Sequence, residues 1–202
     1  MGAGMNRKPD GNGRLLLRGF TLVELVIVLL LIALLAVVAS VKYVDLSANA
    51  RIATLKAVAA AMKGGAEQIR IKTYLPGTEK VLLADQSTDS LKVHQVTLPE
   101  FGTTVTVYNG YVQGHWNKAW TYILDLGKTI EFTQTNQICS KNDLCGVGNQ
   151  RTAPGFPEPP NNSRGLVLVW LKGMKLNDQC YAYYSNRHDG FAPTIGIVDS
   201  GC

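Results

Sequence analysis

Glu24 is the one charge in an otherwise uncharged run. From Phe20 to Val41 the chain reads FTLVELVIVLLLIALLAVVASV, twenty-two residues of which only Glu24 ionises. A carboxylate on a lipid-facing helix costs about 2.5–3.5 kcal/mol at mid-membrane and less near a helix end. Such a residue either reaches the headgroups or is buried together with a positive partner, which is far cheaper than burying it alone.

Thiol chemistry is the second possibility. Cys139, Cys145, Cys180 and Cys202 all lie in the C-terminal two thirds of the chain. An even number of cysteines in an oxidising compartment predicts two disulfides, with three connectivities open. No C-x₂-C pair is present, and His94, His115 and His188 are scattered, so no metal site is expected. Ser185, His188 and Asp189 are close enough in sequence to suggest a triad. Asp189-Gly190 reads better as a turn, however, and there is no G-x-S-x-G, H-E-x-x-H or Walker-type loop, so neither an enzyme nor a cofactor is expected. Tyr111, Trp116 and Trp120 could stack on sugars, but aromatic residues in such positions are expected chiefly in packing.

The apolar run must itself be positioned. Twenty-two helical residues span about 33 Å, enough for a bilayer core. It could be a secretory signal cut near Ala36–Ala39, a permanent anchor, or a leader cut ahead of the run rather than behind it. Charge adds a constraint. Lys and Arg total 20 against 15 Asp and Glu, but Arg7, Lys8, Arg14 and Arg18 face only Asp10 in the first nineteen residues. The basic excess is thus concentrated ahead of the apolar run, and no nucleic-acid partner is expected. A hydrophobic content of 46% excludes a disordered chain, and the apolar run argues against a purely cytosolic one.

Past Lys42 the helical period continues. Val41, Val44, Ala48, Ile52, Leu55, Ala59, Met62, Ala66 and Ile69 recur at steps of three or four. The pattern stops at Thr73-Tyr74-Leu75-Pro76-Gly77, so one helix is predicted from Phe20 to about Lys72, with Gly64-Gly65 as its weak point. The Ala-rich stripe suits packing on the domain's own sheet better than a coiled coil. Beyond Pro76, strands are predicted over 103–108, 129–135, 165–172, 179–185 and 194–199. Asn109-Gly110 forms a turn and 115–126 a short helix. One long helix followed by antiparallel strands is an α+β arrangement. Gly146 to Gly165, with Pro154, Pro157, Pro159 and Pro160, reads as an exposed loop, and its Asn161-Asn162-Ser163 matches a short glycosylation pattern.

The order Arg18-Gly19-Phe20-Thr21-Leu22-Val23-Glu24-Leu25, followed by the apolar run, closely resembles the class III signal of type IV prepilins. The resemblance implies cleavage by a prepilin peptidase between Gly19 and Phe20 and N-methylation of the new Phe20 amine. It also implies that Glu24 pairs with the Phe20 amine of a neighbouring subunit during assembly. The chain would then comprise a leader (1–19), a long helix (20–75, with 20–41 as membrane or filament-core segment) and a β-rich head (76–202). The implied function is structural: a pilus subunit serving surface adhesion or motility. It would lie in the inner membrane of a Gram-negative bacterium and then in an extracellular filament. The implied partners are other copies of itself, the prepilin peptidase and an assembly ATPase system.

Type IV pilins commonly close a C-terminal loop with a disulfide. Cys180–Cys202 fits that role by position, with Cys139–Cys145 as a smaller loop. Many members carry Gly and Pro where this chain has Ala33 and Val41, which implies a more continuous helix here. Val107-Tyr108-Asn109-Gly110-Tyr111-Val112 looks like a turn region of mannose-sensitive haemagglutinin pilins. A minor pilin or a pseudopilin of a type II secretion system would share the same N-terminus. From another class, an exported or membrane-anchored binding protein would use the run as signal or anchor.

Overall fold

The computed structural model describes residues 20–202. The long helix α1 runs Leu22–Tyr74, 53 residues, and is shared by two compact units that divide between Val44 and Asp45. The helix is continuous through Ala33 and Val41 and through Gly64-Gly65, so the glycine pair is not a break. It stops where Pro76 cannot continue it and Gly77 turns the chain at φ 83°. The first described unit consists of the start of α1, and its large apolar side chains from Phe20 to Val38 are 42–80% exposed.

In the second unit α1 buries Leu55, Val58, Met62, Ala66 and Ile69. That face follows the C-terminal part of the expected stripe with Val58 added; Ala48, Ile52 and Ala59 are only half-buried, and Val44 is exposed. The same unit contains two sheets. The first has the order β1-β2-β3-β4, from Lys80–Leu82, Val93–Leu98, Thr103–Tyr108 and Tyr111–Val112, all antiparallel. The β3–β4 hairpin turns at Asn109 (φ 48°) and Gly110 (φ 85°), the left-handed pair that two-residue hairpins need.

The second sheet has the order β5-β6-β7-β8-β9, from Ile130–Phe132, Leu144–Gln150, Leu166–Leu171, Tyr181–Ser185 and Thr194–Val198. β5 and β6 run parallel and the rest antiparallel. The expected α+β arrangement of one long helix followed by antiparallel strands holds; the strands form two sheets, and β5–β6 is the one parallel pair among the described strands. A parallel pair needs a crossover. Residues 133–143 supply it, and the disulfide Cys139–Cys145 fastens its return. The second disulfide is Cys180–Cys202, so of the three possible connectivities the structure has this one.

Two segments differ from expectation. The 115–126 stretch is a single π turn, Trp116–Trp120, in which the Trp120 N–H reaches the His115 carbonyl at 3.2 Å, followed by one α turn over Thr121–Ile123. The start of the expected Gly146–Gly165 loop is instead strand β6, with Gly146, Val147 and Gly148 buried. The reason is contact: the Trp116 ring lies where a Cβ on Gly146 would stand, and the backbone of Gly114 and Trp116 lies against Gly148. Only glycine admits that approach, so these glycines mark packing rather than a loop. Trp120, Trp170, Tyr181 and Tyr184 are the largest side chains sealed in the core. The Tyr184 hydroxyl donates to the Val112 carbonyl at 2.6 Å and joins the second sheet to the first.

Candidate functional site

The N-terminal site begins with helix capping. Thr21 precedes the first helical residue, Leu22. Its hydroxyl accepts from the Glu24 backbone N–H at 3.2 Å. In return the Glu24 carboxylate accepts from the Thr21 backbone N–H and from the Thr21 hydroxyl, both at 3.0 Å through Oε2. This is a reciprocal capping box. Thr-x-x-Glu ahead of an apolar run is its sequence signature, so Thr21 was legible as a functional residue beside Glu24. The arrangement fixes the carboxylate at the positive end of the helix dipole. Among the described residues, Oε1 accepts no hydrogen bond and is left for a second donor.

Gly19 lies outside the described residues, and with it the scissile side of the expected Gly19–Phe20 bond. Phe20 is described and exposed. Within α1 an eighteen-residue stretch has mean hydropathy 3.2 with none of it buried, long and apolar enough to cross a membrane. A surface of this kind needs lipid or other protein to cover it.

The head brings few of its chemically suggestive residues together. Ser185 is buried and its hydroxyl takes the Asn161 side-chain amide at 3.4 Å. The His188 ring stacks on Tyr108 with centroids 4.2 Å apart. The Asp189 carboxylate accepts the Phe191 N–H at 3.0 Å and closes a turn. Among the described residues these three form no hydrogen-bonded chain, so no triad exists. Trp116 and Trp120 are buried, the Trp120 indole N–H donating to the Gln113 carbonyl at 3.0 Å. Tyr111 is half-buried under the Arg70 guanidinium, 4.9 Å from the ring centroid. None of the three offers an open face for a sugar. Asn161 is 1% exposed and its amide donates to the Asn186 carbonyl at 2.8 Å, so the glycosylation pattern falls on an occupied, buried side chain.

Residues 18–40 match the protein family described as the prokaryotic N-terminal methylation motif. No curated protein and no solved structure matches the chain. The motif covers Arg18, Gly19, Phe20 and Glu24 together with most of the apolar run.

Proposed function

We propose, from a chain that carries the class III signal of type IV pilins, that the protein is a structural subunit of a type IV pilus. The observation that supports this most is the start of α1: an exposed apolar helix whose one carboxylate is held at its capped end. In this reading residues 1–19 are a leader, removed by a prepilin peptidase between Gly19 and Phe20. The Phe20 amine is methylated, and 20–41 waits in the inner membrane. Assembly exchanges lipid for neighbouring helices around Leu25–Val41 and sets the Phe20 amine of one subunit against Glu24 of the next. The residues from 76 onward form the outward head, held by Cys180–Cys202 and Cys139–Cys145. The filament acts at the cell surface, in adhesion or motility.

The physical logic is charge neutralisation. The cap occupies Oε2 of Glu24, and a neighbour's ammonium at Oε1 completes the shell of a carboxylate that the apolar core would otherwise penalise. Mass spectrometry of the mature N-terminus from sheared surface material tests the reading. A peptide beginning at N-methylated Phe20 supports it. A chain beginning near Ser40 overturns it in favour of an exported binding protein. The abundance of the chain in that material separates a major pilin from a minor pilin or a secretion pseudopilin.

A further inference from the structure

The turn between β8 and β9 is held at its root and loose at its tip. At the root, the buried Asn186 side-chain amide donates to the Val112 carbonyl at 2.7 Å and to the Tyr111 carbonyl at 3.2 Å, across to the first sheet. The Asn186 carbonyl takes the Asn161 amide at 2.8 Å, and the Arg187 carbonyl takes the Ser163 hydroxyl at 2.6 Å. The Arg187 guanidinium donates to the Pro159 carbonyl at 3.0 Å. Beyond Arg187 this network ends. Among the described residues, the hydrogen bonds made by 188–193 are local: His188 N–H to Asn186 Oδ1 at 2.8 Å, and Phe191 N–H to Asp189 Oδ1 at 3.0 Å.

The tip meets the first sheet through two residues. The His188 ring lies flat on Tyr108 of β3, with centroids 4.2 Å apart and planes 2° from parallel. Gly190, at φ 83°, sits against the Asn109 side-chain amide and Leu91. His188 itself is at φ 57°, a left-handed conformation that a residue with a Cβ keeps only where its surroundings impose it. A segment with so few ties has low local stability.

The imidazole is the fastener, and its environment suits one charge state. Nε2 is buried without a hydrogen-bond partner, beside Gly165. A protonated ring carries N–H on both nitrogens and would bury one of them, charged, without an acceptor. The charged groups around it do not supply one. On its own turn, Asp189 pulls toward protonation less than burial opposes it, and its carboxylate accepts the Phe191 N–H. Arg187 is paired with Glu158 at 3.4 Å. Arg164 precedes Gly165 and Lys92 follows Leu91, both exposed cations. Tyr108 offers its ring, and burial raises the pKa of its hydroxyl, which stays neutral. Burial thus keeps His188 neutral down to about 4, whereas a ring released into water titrates near 6.5.

We propose that the tip 188–193 is an acid-released latch: neutral His188 holds it on the β3–β4 hairpin, and protonation frees it, uncovering Tyr108, Asn109 and Leu91. The root bonds and the Cys180–Cys202 disulfide keep the freed tip attached, so the change is reversible. Because the open ring binds a proton that the closed ring refuses, the closed-to-open ratio falls about ten-fold per pH unit between 6.5 and 4. This is a local opening within an intact head, and it does not depend on filament formation.

The test is an NMR pH titration of the full chain in detergent micelles, with carbon-13 in the rings of its 3 His and 8 Tyr. His188→Asn and Tyr108→Phe identify the two signals. At pH 7 the stacked rings are expected to shift each other upfield. Between pH 6.5 and 4 the Tyr108 shift is expected to disappear along the curve on which His188 protonates, and to return on neutralisation. The buried Tyr181 and Tyr184 keep their shifts. In His188→Asn the Tyr108 signal is expected to lack the upfield shift at pH 7 and to stay constant with pH. The proposal is overturned if Tyr108 stays shifted down to pH 4, or if it loses its shift only in step with Tyr181 and Tyr184. It is equally overturned if Tyr108 moves with pH in His188→Asn as it does in the unaltered chain. Tyr108→Phe alone suffices for the assignment, so the first two outcomes stand even where His188→Asn fails to fold.

Discussion

Ile123 packs directly against Gly65 of the long helix. A Cβ at Gly65 would lie 2.7 Å from Ile123 Cγ2 and 3.0 Å from its carbonyl oxygen, whereas a Cβ at the adjacent Gly64 would meet nothing within 4 Å. Two glycines that look alike in sequence therefore have opposite consequences. Gly64→Ala is expected to stabilise the protein by up to about 1 kcal/mol, the helix-propensity difference. Gly65→Ala is expected to destabilise it, because overpacking costs about 1–3 kcal/mol and a backbone oxygen cannot swing aside. Thermal unfolding of both variants reads the difference, and a raised Tm for Gly65→Ala would contradict the packing.

On the proposed pilus reading, the capping box separates a helix-capping role of Glu24 from an assembly role. Gln at the third helical position can still bond back to the Thr21 N–H, but it cannot pair as an ion. Glu24→Gln is therefore expected to keep the helix start and leader processing while abolishing surface filaments. Glu24→Ala is expected to lose both the cap and the filaments. Thr21→Ala removes the cap at a cost of about 1 kcal/mol to the helix end and leaves the charge in place. Electron microscopy of sheared material, with immunoblotting for the processed form, distinguishes the three. Normal filaments from Glu24→Gln would remove the ion pair from the assembly step.

His188 makes the head sensitive to acid. Burial pushes its imidazole down to about 4, against a smaller opposing pull from Asp189. In the unfolded chain the group titrates near 6.5. Between those values the unfolded state binds more protons, so stability falls as the pH drops from 6.5 toward 4 and is fully present above 6.5. His94 and His115, also lowered, mainly by burial, act in the same direction. His188→Asn keeps a residue that tolerates the left-handed φ of 57° at this position. It is expected to flatten the decline in urea-unfolding free energy over that window without abolishing it. An unchanged pH slope would show that His188 does not carry it.

The two disulfides close loops of different size, with sequence separations of 22 for Cys180–Cys202 and 6 for Cys139–Cys145. On the loop-entropy view these contribute about 3 and about 2 kcal/mol. Replacing both members of the larger pair with Ser is expected to lower Tm more than replacing those of the smaller. Differential scanning calorimetry of the two double variants checks the order.

The local signals were legible. The apolar run, the stripe through Leu55, Met62, Ala66 and Ile69, the stop at Pro76-Gly77 and the Asn109-Gly110 hairpin are all periodicities or turn chemistries written within a few residues, and the methylation signal at 18–40 is contiguous. β7, β8 and β9 announced themselves by apolar and β-branched runs. What was hidden depends on residues distant in sequence. β6 contains Gly146 and Gly148, poor strand formers whose place in the sheet follows from the Trp116 segment packed on them. The parallel β5–β6 pairing follows from a crossover whose length, but not direction, can be read from sequence. Gly64 and Gly65 are indistinguishable until Ile123 arrives beside one of them. Sequence determined the helix, its signal and its membrane-compatible face, because those properties are set by neighbours three or four positions away. Tertiary structure alone decided the sheets' pairing and the glycines' roles, because each is a contact between segments that only the folded core brings together.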